Sequence, residues 1–152
     1  MLRENIMEIR ECILSDANDI YLLNKEEMGY DFSLEQTKEK LNKLLISTQD
    51  RIFVAVINQH VVGYVHACDY DVIYMDHLKN IMGIAVSQQY QHRGIGKQLL
   101  EEVEKWAIKT GASGVRLVSG ESRKGAHVFY QHCGYETTKK QLRFMKKFKK
   151  TG

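Results

Sequence analysis

Apolar positions along this chain change rhythm several times, and each change marks an element. Glu8 to Ile13 (EIRECI) alternates polar and apolar residues, the period of a half-buried strand. Ser15-Asp16 then offers an N-cap, with Ile20, Leu23 and Met28 at helical spacing behind it. Asp19 falls in the first turn, where the helix dipole favours an acid. Gly29-Tyr30-Asp31 breaks this helix. Ser33-Leu34-Glu35-Gln36 is a capping box, and it opens a second helix through Leu41, Leu44 and Leu45.

Arg51 to Ile57 (RIFVAVI) and His60 to Ala67 are β-branched and apolar, and Asn58-Gln59 between them predicts a hairpin. Residues 69–78 are irregular. Asn80 to Val86 (NIMGIAV) is another strand. Gly94 to Lys109 carries Ile95, Leu99, Val103, Trp106 and Ala107 on one helical stripe, with Gly111 as C-cap. A short strand at Val115 to Val118 and a helix from Ser122 to Cys133 follow. Tyr135 to Thr138 and Gln141 to Phe148 read as two closing strands. The order β-α-α-β-β-β-α-β-α-β-β is a mixed α/β (α+β) sheet with helices, not a regular βαβ alternation.

Length and charge refine this picture. At 152 residues the chain is one domain's worth, and its 43% hydrophobic content suffices for a core without staples. Proline is absent, so no helix interior carries a proline kink. No apolar run approaches a membrane span, and residues 1–11 lack the apolar core of a signal peptide, so the expected setting is cytoplasmic. Cys12, Cys68 and Cys133 are too few and too scattered for a disulfide framework. They read as reduced packing residues, and no cluster has metal-ligand spacing. Residues 139–152 hold seven bases and no acid, which leaves 15 bases against 19 acids before them. Leu142, Phe144 and Phe148 sit at even spacing among these lysines, so the stretch reads as an edge strand guarded by charge. No recognition motif accompanies the charge, so nucleic acid is not the expected partner.

The most informative stretch is Ile84-Ala85-Val86-Ser87-Gln88-Gln89-Tyr90-Gln91-His92-Arg93-Gly94-Ile95-Gly96-Lys97. An apolar strand runs into a glycine-containing turn that opens an amphipathic helix. Free N–H groups and the dipole at a helix start favour an anion, and glycine lets a phosphate approach the backbone. Arg93 and Lys97 add positive charge. A dinucleotide fingerprint fails at Leu99, where a third glycine is required. A P-loop fails at Gln98 and Gln91. A glycine-rich turn without a ligand is the remaining plain reading.

Two landmarks together go further. Gln91-x-x-Gly94-x-Gly96 after Ile84-Ala85-Val86 resembles the acyl-CoA signature of the GNAT superfamily of N-acetyltransferases. Ala126-x-x-Phe129-Tyr130-x-x-x-Gly134-Tyr135 resembles that superfamily's second landmark. The element order is similar too, over roughly residues 7–148 of a single domain spanning 1–152. The resemblance implies a mostly antiparallel central sheet whose two central parallel strands, here Asn80–Val86 and Val115–Val118, splay apart to admit pantetheine. It implies that backbone groups of Ile84, Ala85 and Val86 pair with pantetheine amides, and that one backbone N–H polarises the thioester carbonyl. Gln91, His92, Arg93, Gly94, Ile95, Gly96 and Lys97 would hold the pyrophosphate. Tyr130 matches the family's general acid, which protonates the leaving thiolate, although a tyrosine there also serves as packing. Ala126 and Phe129 would pack on the cofactor arm or the core.

Two positions depart from the family pattern. Arg123 stands where many members have an asparagine that touches pantetheine, and an arginine there reaches a phosphate or solvent. Asn80 stands where some protein-acetylating members place a glutamate as general base, so this chain needs another base or a water relay. Candidates are Glu26, Glu27, Asp76, His77 and His66. Glu26, Glu27, Tyr30 and Asp31 lie between the first two helices, where the family often forms its acceptor wall. Acids there suit a cationic amine and equally suit a solvated helix end. Asp76 and His77 in the 69–78 loop are further acceptor-side candidates. His127 and His132 read as surface histidines.

The resemblance implies transfer of an acetyl group from acetyl-CoA, as co-substrate, to a primary amine within a ternary complex, without a metal. A small cationic amine or a basic peptide is the favoured acceptor, and a homodimer is an open possibility. The alternative is a non-catalytic acyl-CoA-binding sensor or partner subunit, suggested by Asn80.

Overall fold

A computed structural model describes residues 6–150. The first strand, β1 (Glu8–Glu11), leads through a 3-10 turn at Leu14–Asp16 into helix α1 (Ala17–Met28). Asp16 makes this turn. Its buried carboxylate accepts the Ile13 N–H at 2.9 Å and two Arg10 guanidinium bonds at 2.8 and 2.9 Å. Gly29 ends α1 in the left-handed region (φ 70°), a conformation that costs a side chain about 1 kcal/mol. Helix α2 (Leu34–Leu45) opens on the expected box, with Ser33 Oγ accepting the Gln36 N–H at 3.1 Å.

Strands β2 (Asp50–Ile57) and β3 (His60–Tyr70) form the expected hairpin. Asn58 and Gln59 both have positive φ (50° and 66°), which lets a two-residue turn match the strand twist. The register then slips. Val56 faces Val61, but Ala55 faces Gly63, so Val62 is an extra residue on β3. Strand β4 (Leu78–Val86) runs antiparallel to β3, with a second slip that leaves Met82 between the pairs His66–Gly83 and Ala67–Ile81. Helix α3 (Ile95–Lys109) returns the chain to β5 (Gly114–Leu117), which is parallel to β4. The sheet order is β1-β2-β3-β4-β5.

Alternation along β3 sorts the two faces of the sheet. Tyr64 is hydrogen-bonded to Asn24 of α1, and His66 and Cys68 share its face. A Cβ on Gly63 would lie 3.4 Å from Leu99 of α3, so Val65, Ala67 and Asp69 face that helix. Ile20, Leu23, Leu41, Ile52, Val54, Tyr64 and Ala85 form the core beneath α1 and α2. Leu99, Leu100 and Val103 are fully buried on α3.

Two compact units divide the chain, the first ending at Leu117 and the second beginning at Val118. The second contains helix α4 (Lys124–His132). Gly134 (φ 92°) closes α4, with the Gly134 N–H donating to Gln131 O and the Tyr135 N–H to Tyr130 O, each at 3.0 Å.

The mixed sheet and its first nine strands and helices follow the expected order. The two closing strands do not form: residues 135–138 and 141–148 have no regular structure. Alternating apolar residues satisfy only half of what a strand needs. The other half is a partner ladder and a surface to bury against. Here Leu142, Phe144 and Phe148 are 83%, 90% and 84% exposed, so nothing offsets the entropy of ordering them.

Candidate functional site

The parting of β4 and β5 creates the first part of the site. β5 pairs only with Leu78–Ile81 of β4. Beyond the extra residue Met82, Gly83 to Val86 bond to β3 on one side, and among the described residues no strand pairs with them on the other. That edge presents backbone N–H and C=O groups at strand spacing, ready to pair with an extended chain bearing amides. Ile84, Ala85 and Val86 form this edge, with the Ala85 side chain buried.

The turn after β4 forms the second part. A 3-10 turn at Gln88–Tyr90 is followed by Gln91 in extended conformation, His92 at φ 65° and Gly94 at φ 80°. Four contacts hold the turn. Ser87 N–H donates to Val62 O at 2.7 Å, and Gln88 N–H donates to Glu27 Oε1 at 3.1 Å. Gln91 Nε2 donates to Val86 O at 3.2 Å, and the Arg93 guanidinium lies 5.2 Å from the Tyr90 ring centre. Gln91 to Gly94 are exposed, and a Cβ on Gly94 would meet nothing within 4 Å. The Ile95 side chain is buried, so only its backbone is offered to a ligand. The first-turn N–H groups of α3 have no partner within the helix, and the first turn contains no acid. An extended arm along β4 and a diphosphate at the start of α3 therefore fit the residues present.

The third part lies on the α1/α2 face. A pocket of about 160 Å³ is lined by Asn24, Phe32, Lys40, Leu44, Tyr64 and His66, among others. A Cβ on Gly83 would lie 3.7 Å from the Tyr64 hydroxyl, so this glycine leaves open the sheet surface beside the pocket. Burial pushes the Tyr64 phenol up to about 12, against the opposing effect of its bond to Asn24. His66 Nε2 lies 2.7 Å from Asp50 Oδ1, and Asp50 Oδ2 accepts the Ser47 hydroxyl at 2.7 Å. Tyr64, Asn24 and Asp50 carry no motif. Finding them needed the strand register.

The remaining expected residues are spread over three regions. Glu26 and Tyr30 are exposed at the end of α1, while Glu27 is engaged with the Gln88 backbone. Asp76 is exposed in the β3–β4 loop, and His77 Nε2 lies 2.7 Å from Asp69 Oδ1. The Asn80 amide oxygen accepts a bond from Arg116, whose guanidinium stacks 4.2 Å from the Tyr70 ring centre. In the second unit, Arg123 is exposed just before α4, Ala126 and Phe129 are half-buried, and Tyr130 is 9% exposed. The Tyr130 ring packs against Phe129 and Tyr135 at 5.3 and 6.4 Å between centres. Burial raises its pKa, against the lowering effect of Arg123. None of the three cysteines forms a disulfide. Among the described residues no group of three His, Cys, Asp or Glu could hold a metal, and no helix is long and apolar enough to cross a membrane.

Known proteins resemble this chain in sequence and in fold. An uncharacterized N-acetyltransferase of Methanocaldococcus jannaschii is 34% identical over 136 residues, which cover 84% of this chain and 60% of the relative. The aminoglycoside N-acetyltransferase AAC(6')-Iy in complex with CoA shares the fold with a TM-score of 0.86 at 19% identity, over 96% of this chain and 98% of that one. An aminoglycoside acetyltransferase from an uncultured soil metagenomic sample, in complex with sisomicin, superposes with a TM-score of 0.82 at 22% identity, over 94% and 97%. The model of the acetyltransferase (GNAT) family matches residues 17–135, across both units, and with this match the chain belongs to that family.

Proposed function

We propose that this protein is an N-acetyltransferase that moves an acetyl group from acetyl-CoA directly to a primary amine. The observation that carries the reading is the unpaired edge of β4 beyond Met82, which runs straight into the exposed turn that opens α3. Ile84, Ala85 and Val86 would pair with pantetheine amides. Gln91, His92, Arg93, Gly94, Ile95, Gly96 and Lys97 would hold the diphosphate by backbone N–H groups, the helix dipole and two cations. Arg123, Ala126 and Phe129 are the further residues expected to contact the cofactor.

In the reaction the amine nitrogen attacks the thioester carbonyl, the C–S bond breaks, and the sulfur leaves with its electron pair. Tyr130 would protonate that sulfur. Its burial supports this role, because a raised pKa keeps the phenol protonated, the only form that donates. The acceptor side would draw on Glu26, Glu27, Tyr30 and Asp76, with a small cationic amine or a basic peptide as substrate. The aminoglycosides bound or acetylated by the structural neighbours support a small polyamine of that kind.

Calorimetric titration with acetyl-CoA, with NAD and ATP as controls, tests the cradle. Incubation with acetyl-CoA and a panel of sisomicin, neamine, spermidine and a lysine-rich peptide then tests transfer. Micromolar acetyl-CoA binding with N-acetyl product is expected. Absent binding would sink the reading, and binding without product on any amine would favour the sensor alternative.

A further inference from the structure

We propose that His66 is the general base of the transfer, held in the working tautomer by Asp50. The inference rests on the acetyltransferase reading above. Asn80 has no basic atom, and its amide oxygen is engaged by Arg116. The proton must therefore leave the amine by another route.

Three observations bring His66 to that route. It is paired with Gly83 across β3 and β4, one residue before the proposed pantetheine edge begins at Ile84. Gly83 has no side chain, so the sheet surface on the His66 side is open where the thioester would sit. His66 and Tyr64 both line the α1/α2 pocket, so an amine arm entering it passes along the imidazole. The candidate His77 belongs elsewhere. His77 is bonded to Asp69, which faces α3 on the other side of the sheet.

The hydrogen bonding sets the tautomer. The Asp50 carboxylate only accepts, so His66 Nε2 carries the hydrogen in the 2.7 Å contact. Nδ1 keeps the lone pair. Ser47 holds the second Asp50 oxygen, which locks the carboxylate and, through it, the ring. Asp50 is thus a positioning residue.

The step balances without a further reactant. A neutral amine attacks the carbonyl and the N–C bond forms. The nitrogen becomes acidic and gives its proton to His66 Nδ1. The C–S bond breaks, and the sulfur leaves with the electron pair and takes a proton from the general acid. His66 then returns its proton to solvent. The charged or titratable groups facing His66 are Asp50 from β2, Lys40 from α2, and Tyr64 and Cys68 from β3. Asn24 of α1 and Gly83 of β4 do not ionise.

The test compares wild type with His66→Gln and Asp50→Asn, using acetyl-CoA and the amine panel above. Glutamine retains an N–H donor toward Asp50, and acetyl-CoA calorimetry checks that each variant is folded and loaded. The expected result is a fall in kcat of about 100-fold or more for His66→Gln, with acetyl-CoA affinity unchanged. The pH profile of that variant loses the limb that the wild type owes to its general base. Asp50→Asn lowers kcat by a smaller factor, because the ring is no longer held in one tautomer. If wild type turns over and His66→Gln keeps its rate and pH profile, His66 is not the base and the acetyltransferase reading stands. If wild type acetylates no amine of the panel, the activity reading fails and this assignment with it.

Discussion

The Lys79 ammonium nitrogen lies 3.7 Å from the centre of the Trp106 ring and is also bonded to Asp69. Lys79 is 1% exposed, so its charge is carried inside the sheet–α3 layer by one carboxylate and one aromatic face. His77 donates to the same Asp69 oxygen. Asp69→Ala should destabilise the fold by about 3 kcal/mol, because it strands a buried cation. Lys79→Met should cost less, since Asp69 keeps His77 and some contact with water. Urea unfolding of the two variants checks this order, and the reverse order would refute the account.

Asp16 joins β1 to α1 through Arg10 and the Ile13 N–H. Burial raises the pKa of Asp16, but the Arg10 and Ile13 bonds outweigh it, and the value falls below the ordinary 3.8. For Asp69, burial is likewise outweighed, here by bonds from Lys79 and His77. A depressed folded pKa stabilises at pH above the unfolded value and is lost as pH falls through the folded one. Stability should therefore hold down to about pH 4 and decline below it. Asp16→Asn should flatten that decline while lowering stability at pH 7. An unchanged acid profile in this variant would count against the pair.

Gly94 precedes α3 at φ 80° with open space where a Cβ would stand. Gly94→Ala should cost only backbone strain, about 1 kcal/mol. Its larger effect should be on acetyl-CoA affinity, through the altered turn and a methyl group on the phosphate approach. Calorimetry beside a thermal melt separates the two effects. A variant with full affinity would remove Gly94 from the cradle.

Gly83 makes the matching prediction on the acceptor side. A Cβ there would touch the Tyr64 hydroxyl at 3.7 Å, an ordinary contact, so alanine fits. Valine would project into the space beside His66. Gly83→Val should raise the KM for the amine while leaving acetyl-CoA binding near wild type. An effect on acetyl-CoA alone would place the acceptor elsewhere.

Tyr130→Phe should lower kcat by about 100-fold without weakening acetyl-CoA binding. The raised Tyr130 pKa puts loss of the donor form above the usual tyrosine value of 10. Wild-type rate should then show no alkaline loss from this group below that pH. Equal turnover in the variant would remove Tyr130 from the chemistry.

Much of the fold was legible in the chain because local rules were written in local residues. The Ser33–Gln36 box, the Asn58-Gln59 turn, the α3 stripe and the Gln91–Gly96 turn each specify themselves within a few positions. The closing strands failed for the opposite reason. Leu142, Phe144 and Phe148 have the right period, but a strand also needs a partner, which no local pattern supplies.

The sequence by itself determined the exposed turn that opens α3, since a glycine at positive φ and a helix start are backbone features that need only their neighbours. Only the tertiary structure decided which side chains share the α1/α2 face. Carried on from Val56–Val61, the hairpin register would set His66 opposite Arg51 and leave Asp50 on the other face of the sheet. The extra residue Val62 shifts the pairing so that Ile52 faces His66 and Asp50 faces Cys68. Side chains alternate along a strand, so that single bulge exchanges every face beyond it and places Asp50 beside His66.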